Sequence, residues 1–393
     1  MATSAALRQI NQARILSTLR KGSWSRVALA EHLGVNRSTA TVIVNALLEQ
    51  GLVREIDPVP HPQGATGRPR VGIALNGTGA YFGGLELGNQ TLTAVVADLT
   101  GREIDRASAP TVRTGGPDQA ETTLGDLLAD VLGRHPGVTL QGLGLTLPGL
   151  VTNSGRLDWA PWLNWRDATL GESLRARFGI AVRIENDANA AALAEEQLRP
   201  RSEGDNLLYL LLDAGVGGSL LVDRELYRGG AGRVGEVGHI RLPSPAGGAS
   251  TAVEETLGRE AVLAAFAGTQ DSPPGSSTPW ADLVAAVTDG RPGVEDLRDR
   301  WQDTLGWLTS VLAWTLDPDV IVFGGPVSAL LHGDTLALQR SLRDNGPQGL
   351  DARWRLSSLP AEDTALGAVA LAMRDFFAIP ALNSRARLAQ TAS

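Results

Sequence analysis

The sequence contains no cysteine. That excludes disulfides, thiol nucleophiles and any zinc site with cysteine ligands. Histidine is scarce: His32, His61, His135, His239 and His332 include no pair at helical metal-ligand spacing, so no metal centre is expected. Lysine occurs only at Lys21, and every other basic side chain is arginine. Aromatic residues make up 5% of the chain. No apolar run approaches the roughly 20 residues of a membrane-spanning helix. The opening residues, MATSAALRQINQAR, lack the basic-then-apolar order of a secretory signal. A cytoplasmic protein with no membrane partner is expected.

What is present reads as globular. The chain has 393 residues, 43% of them hydrophobic and 20% charged, enough for two or three domains of roughly 150 residues. Its net charge of −8 is unevenly spread. Through Asn76, nine basic residues stand against four acidic ones, a net +5, which leaves −13 for the remainder. A small basic module on a larger acidic body points to polyanion binding by the first part alone.

Within that module, the spacing of Leu7, Ile10, Ile15, Leu16 and Leu19 predicts a helix that Gly22 ends. Ser25 is placed to cap a second helix, with Val27, Leu29, Ala30 and Leu33 facing inward and Gly34 as its stop. Asn36 is placed to cap a third, which closes at Gly51. A short helix, a glycine turn and a second helix make a helix-turn-helix, whose second helix enters the DNA major groove. Its outer face carries Arg37, Ser38, Thr39 and Thr41, suited to base edges and phosphates. Residues 51–76 read as strand, Pro/Gly-rich tip and strand, a wing whose Arg68 and Arg70 fit a narrow minor groove. The alternative is a three-helix interaction module with a merely solvated polar face. The wing, its arginines and the local charge favour double-stranded DNA as the partner.

After Gly77, apolar strands alternate with helices, which implies an α/β fold in two lobes with a cleft lined by polar turns. The expected boundaries are a winged helix-turn-helix domain over 1–76, a first lobe over 77–198, a second over 199–380 and a disordered tail over 381–393. Residues 267–296 begin rich in proline, glycine and serine and read as a surface excursion. No internal sequence repeat is strong enough to use. Asn186 and Asp187 stand at a strand-to-helix turn, where a purely structural reading makes them a helix cap.

Six segments of this body, in order, are LGLTLPGLV, RLDWAPWLNW, IENDANAAALAEE, DAGVGGSLLVDRELYRGGAGRVGEVGHI, DPDVIVFGGPVS and ALGAVALA. Together they resemble the ROK family of repressors, uncharacterised reading frames and sugar kinases, from about Ala80 to Phe377. The resemblance implies the two-lobed actin-like, RNase H-like fold of sugar kinases behind the winged module. It also implies a sugar between the lobes. On that pattern Asn186 and Asp187 in ENDANA, Glu236 and His239 in EVGH, and Glu254 in AVEETLG fall on sugar-hydroxyl ligands, Glu254 only across a gap. Carboxylates, an amide and an imidazole bridge vicinal hydroxyls with paired hydrogen bonds. In the family's kinases the aspartate at 187 would also take the proton of the attacking hydroxyl.

Departures from the family pattern separate regulator from kinase. Where the kinases carry aspartate followed by Gly-Gly-Thr, this chain has Glu86-Leu87-Gly88-Asn89-Gln90, with Gln90 expected where phosphate would lie. The second phosphate loop reads Ala214-Gly215-Val216-Gly217-Gly218 in place of a threonine start. The cysteines of the family's structural zinc are missing, so neither zinc nor any other cofactor is expected. Trp162 replaces a customary asparagine beside the sugar pocket. The expectation is a sugar-responsive transcription regulator, a repressor working as a homodimer or homotetramer, without enzymatic activity. The rivals are an ATP-dependent sugar kinase, with Asp187 as base and Glu86 at magnesium, and a regulator that no longer answers to sugar.

Overall fold

The structure, a computed structural model, describes residues 4–59, 70–111, 115–199, 201–242, 250–267, 279–291, 293–360 and 364–378. The chain begins with α1 (Ser4–Leu19), β1 (Trp24–Ser25), α2 (Arg26–Leu33), α3 (Arg37–Glu49), β2 (Val53–Val59) and β3 (Arg70–Leu75). Both expected caps form. The Ser25 hydroxyl accepts the Ala28 backbone N–H at 3.2 Å, and Asn36 Oδ1 accepts that of Thr39 at 2.7 Å. Each satisfies a donor that a helix start leaves open. Strand β1 was not anticipated: two residues are too short to show a period, and its pairing with β3 is tertiary. The wing strands β2 and β3 pair antiparallel, while residues 60–69, the tip carrying Arg68, lie outside the described residues.

The first lobe contains β4 (Tyr81–Leu87), β5 (Thr91–Asp98), β6 (Glu103–Pro110), α4 (Pro117–Arg134), β7 (Leu140–Leu147), β8 (Leu150–Val151), β9 (Leu157–Ala160), β10 (Trp165–Ala168), α5 (Glu172–Phe178), β11 (Val182–Asn186) and α6 (Asp187–Leu198). Its main sheet runs β11-β7-β4-β5-β6. The three strands β4, β5 and β6 form an antiparallel meander; β7 and β11 add parallel on the other side.

The second lobe contains β12 (Leu207–Leu212), β13 (Val216–Val222), β14 (Glu225–Leu226), β15 (Arg241–Leu242), β16 (Thr251–Ala252), α7 (Glu254–Leu257), α8 (Arg259–Ala267), α9 (Pro279–Thr288), α10 (Val294–Leu316), β17 (Val320–Gly324), α11 (Leu336–Asn345) and β18 (Trp354–Leu356). Its sheet, β14-β13-β12-β17-β18, repeats the first in order and strand direction. This is the duplicated α/β architecture expected of the actin-like fold, with a winged helix-turn-helix in front. Helix α9 falls within the stretch read as a surface excursion. It buries Leu283, Ala286 and Val287 in the second lobe's core, so that part of the stretch is structural.

The last described helix, α12 (Ala365–Phe377), crosses back and packs on β4 and β7 of the first sheet. The expected assignment of everything up to residue 380 to the second lobe therefore differs from the packing. Contact is close enough that a Cβ added at Gly144 in β7 would lie 2.0 Å from the Ala368 carbonyl oxygen. Only a residue without a side chain permits that approach. The winged module joins the same core: Ile15, Leu19, Leu47 and Ile73 cluster with Phe82, Val95, Met373 and Phe377. Among the described residues no helix is long and apolar enough to cross a membrane.

Candidate functional site

Two surfaces hold the residues singled out from sequence. On the winged module, Arg37, Ser38 and Thr41 are exposed on α3 and Thr39 is half-buried. The Ser38 hydroxyl donates to Asn36 Oδ1 and that of Thr41 to the Arg37 carbonyl, both at 2.8 Å. Arg37 meets Glu31 at 3.8 Å in an open, solvated pair, which holds it weakly. Val42, 57% exposed, and Asn45 complete this face. Their helical spacing from Ser38 and Thr41 was the available signal. Arg70 begins β3, and its side chain lies outside the described residues, as does Arg68.

The second surface is the cleft, built where α6 starts. The two residues of the strand-to-helix turn make different hydrogen bonds. Asn186 is the cap: its Oδ1 accepts the Asn189 N–H at 3.1 Å and its Nδ2 donates to the Gly149 carbonyl at 3.1 Å. Asp187 is the first helical residue, and its carboxylate accepts the Ala188 N–H at 2.8 Å. Burial pushes the Asp187 carboxyl up to about 7, opposed by that N–H and reinforced by the Asp213 and Glu236 carboxylates. Beneath it, buried Glu185 holds Asn189 Nδ2 at 3.0 Å and pairs with Arg228, which fixes the turn.

Glu236, His239 and Glu254 come from the second lobe and meet one another. Nδ1 of His239 lies 3.2 Å from Glu254 Oε1, and its Nε2 lies 3.6 Å from Glu236 Oε2. Burial raises the Glu236 carboxyl above its ordinary range; His239 opposes the shift and Glu254 adds to it. The turn that presents Glu236 presses on β13. The Gly218 N–H donates to the Gly235 carbonyl at 2.7 Å, and Gly235 has φ +96°, where an added Cβ would lie 1.8 Å from the Gly218 oxygen. Across from His239 stands Trp159, rings 6.4 Å apart and 24° from parallel, with the Arg166 guanidinium 5.0 Å from the Trp159 ring.

On the far side of Asp213 the cleft continues into a cavity of ≈ 110 Å³ lined by Glu86, Asn89, Gln90, Trp162, Arg259 and Glu260, among others. Asn89 Nδ2 donates to Asp213 Oδ2 at 3.4 Å, a bond between the lobes across 124 residues of sequence. Sequence reasoning missed Asp213, Trp159 and Arg259 as cleft residues. The first two lie inside the segments RLDWAPWLNW and DAGVGGSLLVDRELYRGGAGRVGEVGHI, which carry the family resemblance.

Residues 82–375 match the ROK family. The chain is 29% identical to the xylose repressor of Bacillus subtilis over 245 residues, 62% of this chain and 63% of that protein, so the match spans less than two thirds of the relative's length. It is 30% identical to a transcriptional regulator of Mycobacterium tuberculosis over 317 residues, 78% of this chain and 72% of the other. A crystal structure of a ROK-family transcriptional regulator, a homologue of the Escherichia coli MLC protein, superposes with a TM-score of 0.75 at 22% identity. It covers 95% of this chain and 97% of the other, and shares the fold.

Proposed function

Since the chain belongs to the ROK family, we propose that it is a sugar-responsive transcription regulator, a repressor that binds double-stranded operator DNA. In this reading Arg37, Ser38, Thr39 and Thr41 on α3 meet the major groove, and Arg68 and Arg70 on the wing meet the minor groove. A sugar lies in the cleft, hydrogen-bonded by Asp187, Glu236, His239 and Glu254, with Asn186 holding the turn that aims Asp187. The observation that carries the proposal is the joint presence, in one packed unit, of an exposed polar helix on a winged module and a carboxylate–imidazole cluster between two lobes. Two copies, or four, would present paired helices to a pseudo-palindromic site, with half-sites about one helical turn or its multiples apart. The protein would act in the cytoplasm.

The test is fluorescence anisotropy on DNA from upstream of its own gene, at fixed salt, with and without a panel of sugars. Tight binding that one sugar abolishes supports the inducer-controlled repressor. Absence of specific binding under every condition overturns it.

One observation favours a second reading, a sugar kinase: a carboxyl that titrates near 7 at the cleft floor suits a general base. Against it, Asn89 reaches across to Asp213 where the kinases leave room for phosphate, and Glu86 is engaged by Thr364. ADP release on mixing with ATP, magnesium and sugars would decide for the kinase.

A further inference from the structure

We infer that the cavity beside the carboxylate–imidazole cluster receives the second ring of a disaccharide, so that the effector is a neutral two-ring sugar. The inference rests on the sugar reading above and names the ligand class. The cavity and the cluster share a wall, the loop that Asp213 opens. Asp213 lines the cavity, while two residues on, a Cβ added at Gly215 would lie 3.1 Å from Glu254 Oε2. A ligand held by Glu254 and Asp187 thus has the cavity as its direct continuation.

The chemistry of the walls suits hydroxyls. Trp162 contributes apolar indole surface to the lining, and Asn89 and Gln90 both donate and accept. Charge argues against phosphate. The carboxylates Glu86, Asp213 and Glu260 surround a single guanidinium, Arg259, which already lies 3.9 Å from Asp213 Oδ1 and 4.8 Å from the Trp280 ring centroid. A wall of that sign repels a phosphosugar or a nucleotide. Size agrees: ≈ 110 Å³ is well short of the roughly 300–1,000 Å³ of a site for a drug-sized ligand, and so of one for a nucleoside triphosphate.

Isothermal titration of the full chain with monosaccharides, their disaccharides, a phosphosugar and ATP with magnesium tests this. One disaccharide should bind about tenfold or more tightly than its component monosaccharides. Gln90→Trp, a change at an exposed position that fills the cavity, should erase that advantage and leave monosaccharide affinity in place. Glu260→Ala should weaken the disaccharide alone. Equal affinity for one ring and two, in wild type and Gln90→Trp alike, overturns the inference but leaves the sugar reading standing. So does ATP with magnesium binding that Gln90→Trp abolishes. Binding of no sugar at all removes both.

Discussion

The Arg20 guanidinium lies 4.6 Å from the centroid of the Phe377 ring, joining the helix that opens the chain to the helix that ends its described part. The Ser17 hydroxyl reinforces the junction by donating to the Phe377 carbonyl at 3.2 Å. Burial lowers the Arg20 guanidinium to about 10, while the Glu196 carboxylate acts to raise it. Glu196 sits near the end of α6, and α6 begins at Asp187. One helix therefore runs from the cleft to a carboxylate that is ion-paired with Arg199 and Arg224.

Replacing Arg20 with Met keeps the apolar packing and removes the cation that lies over the Phe377 ring. Operator affinity without sugar should stay within about threefold, while the sugar's effect on that affinity should shrink by roughly 1 kcal/mol or more of coupling. Anisotropy titrations with and without sugar measure both quantities. An unchanged sugar effect would show that the helices carry no signal.

Arg37→Ala should weaken operator binding and reduce the dependence of log affinity on log salt by about one. The side chain is exposed and its pair with Glu31 is solvated, so the melting temperature should stay put. Operator binding indistinguishable from wild type would displace α3 as the reading helix.

The Asp187 carboxyl supplies a pH test with a definite sign. Folded, it holds its proton up to about 7; unfolded, it releases it near 3.8. Its contribution to stability is thus fully present below 3.8 and is lost as pH rises towards and through 7. The ligand-free protein should melt lower at pH 8 than at pH 5.5, and Asp187→Asn should flatten that slope. Sugar that binds the ionised form should reverse the trend, with affinity falling up to about tenfold per unit below pH 7. A slope unaltered by Asp187→Asn would assign the titration to another group.

Gly144→Ala should destabilise the fold by about 2–4 kcal/mol, because the new methyl group would drive α12 off the sheet. The same helix packs against α1, so denaturant titrations should show operator binding and first-lobe structure lost together. A mild effect, below about 0.5 kcal/mol, would mean that α12 adjusts freely.

Local chemistry was readable in the sequence, and distant contact was not. Ser25 and Asn36 announced their helices because a cap is decided within four residues. The strand–helix alternation of both lobes was visible, and so were the turns that carry Asp187, Glu236 and His239. The repeat of one sheet by the other was hidden because buried positions in β5 and β13 accept Leu, Val or Ala alike. Nothing near Ala365 says that its helix returns to β4, and nothing near Asn89 announces Asp213. Those facts belong to the closed structure. Asn186 and Asp187, adjacent in sequence, accept different helix N–H groups, that of Asn189 and that of Ala188, which their order in the chain does not announce.

The core that Ile15 and Leu47 share with Phe82 and Phe377 ties the winged module to the first lobe. On the proposed function the module would be the tip of a lever whose arm is that lobe. Opening or shutting the cleft would then carry the module along with the lobe it is packed on. In a two-copy assembly it can only change the span between the two tips. The length of DNA spacer that each ligand state prefers would serve as a ruler for the angle between the lobes.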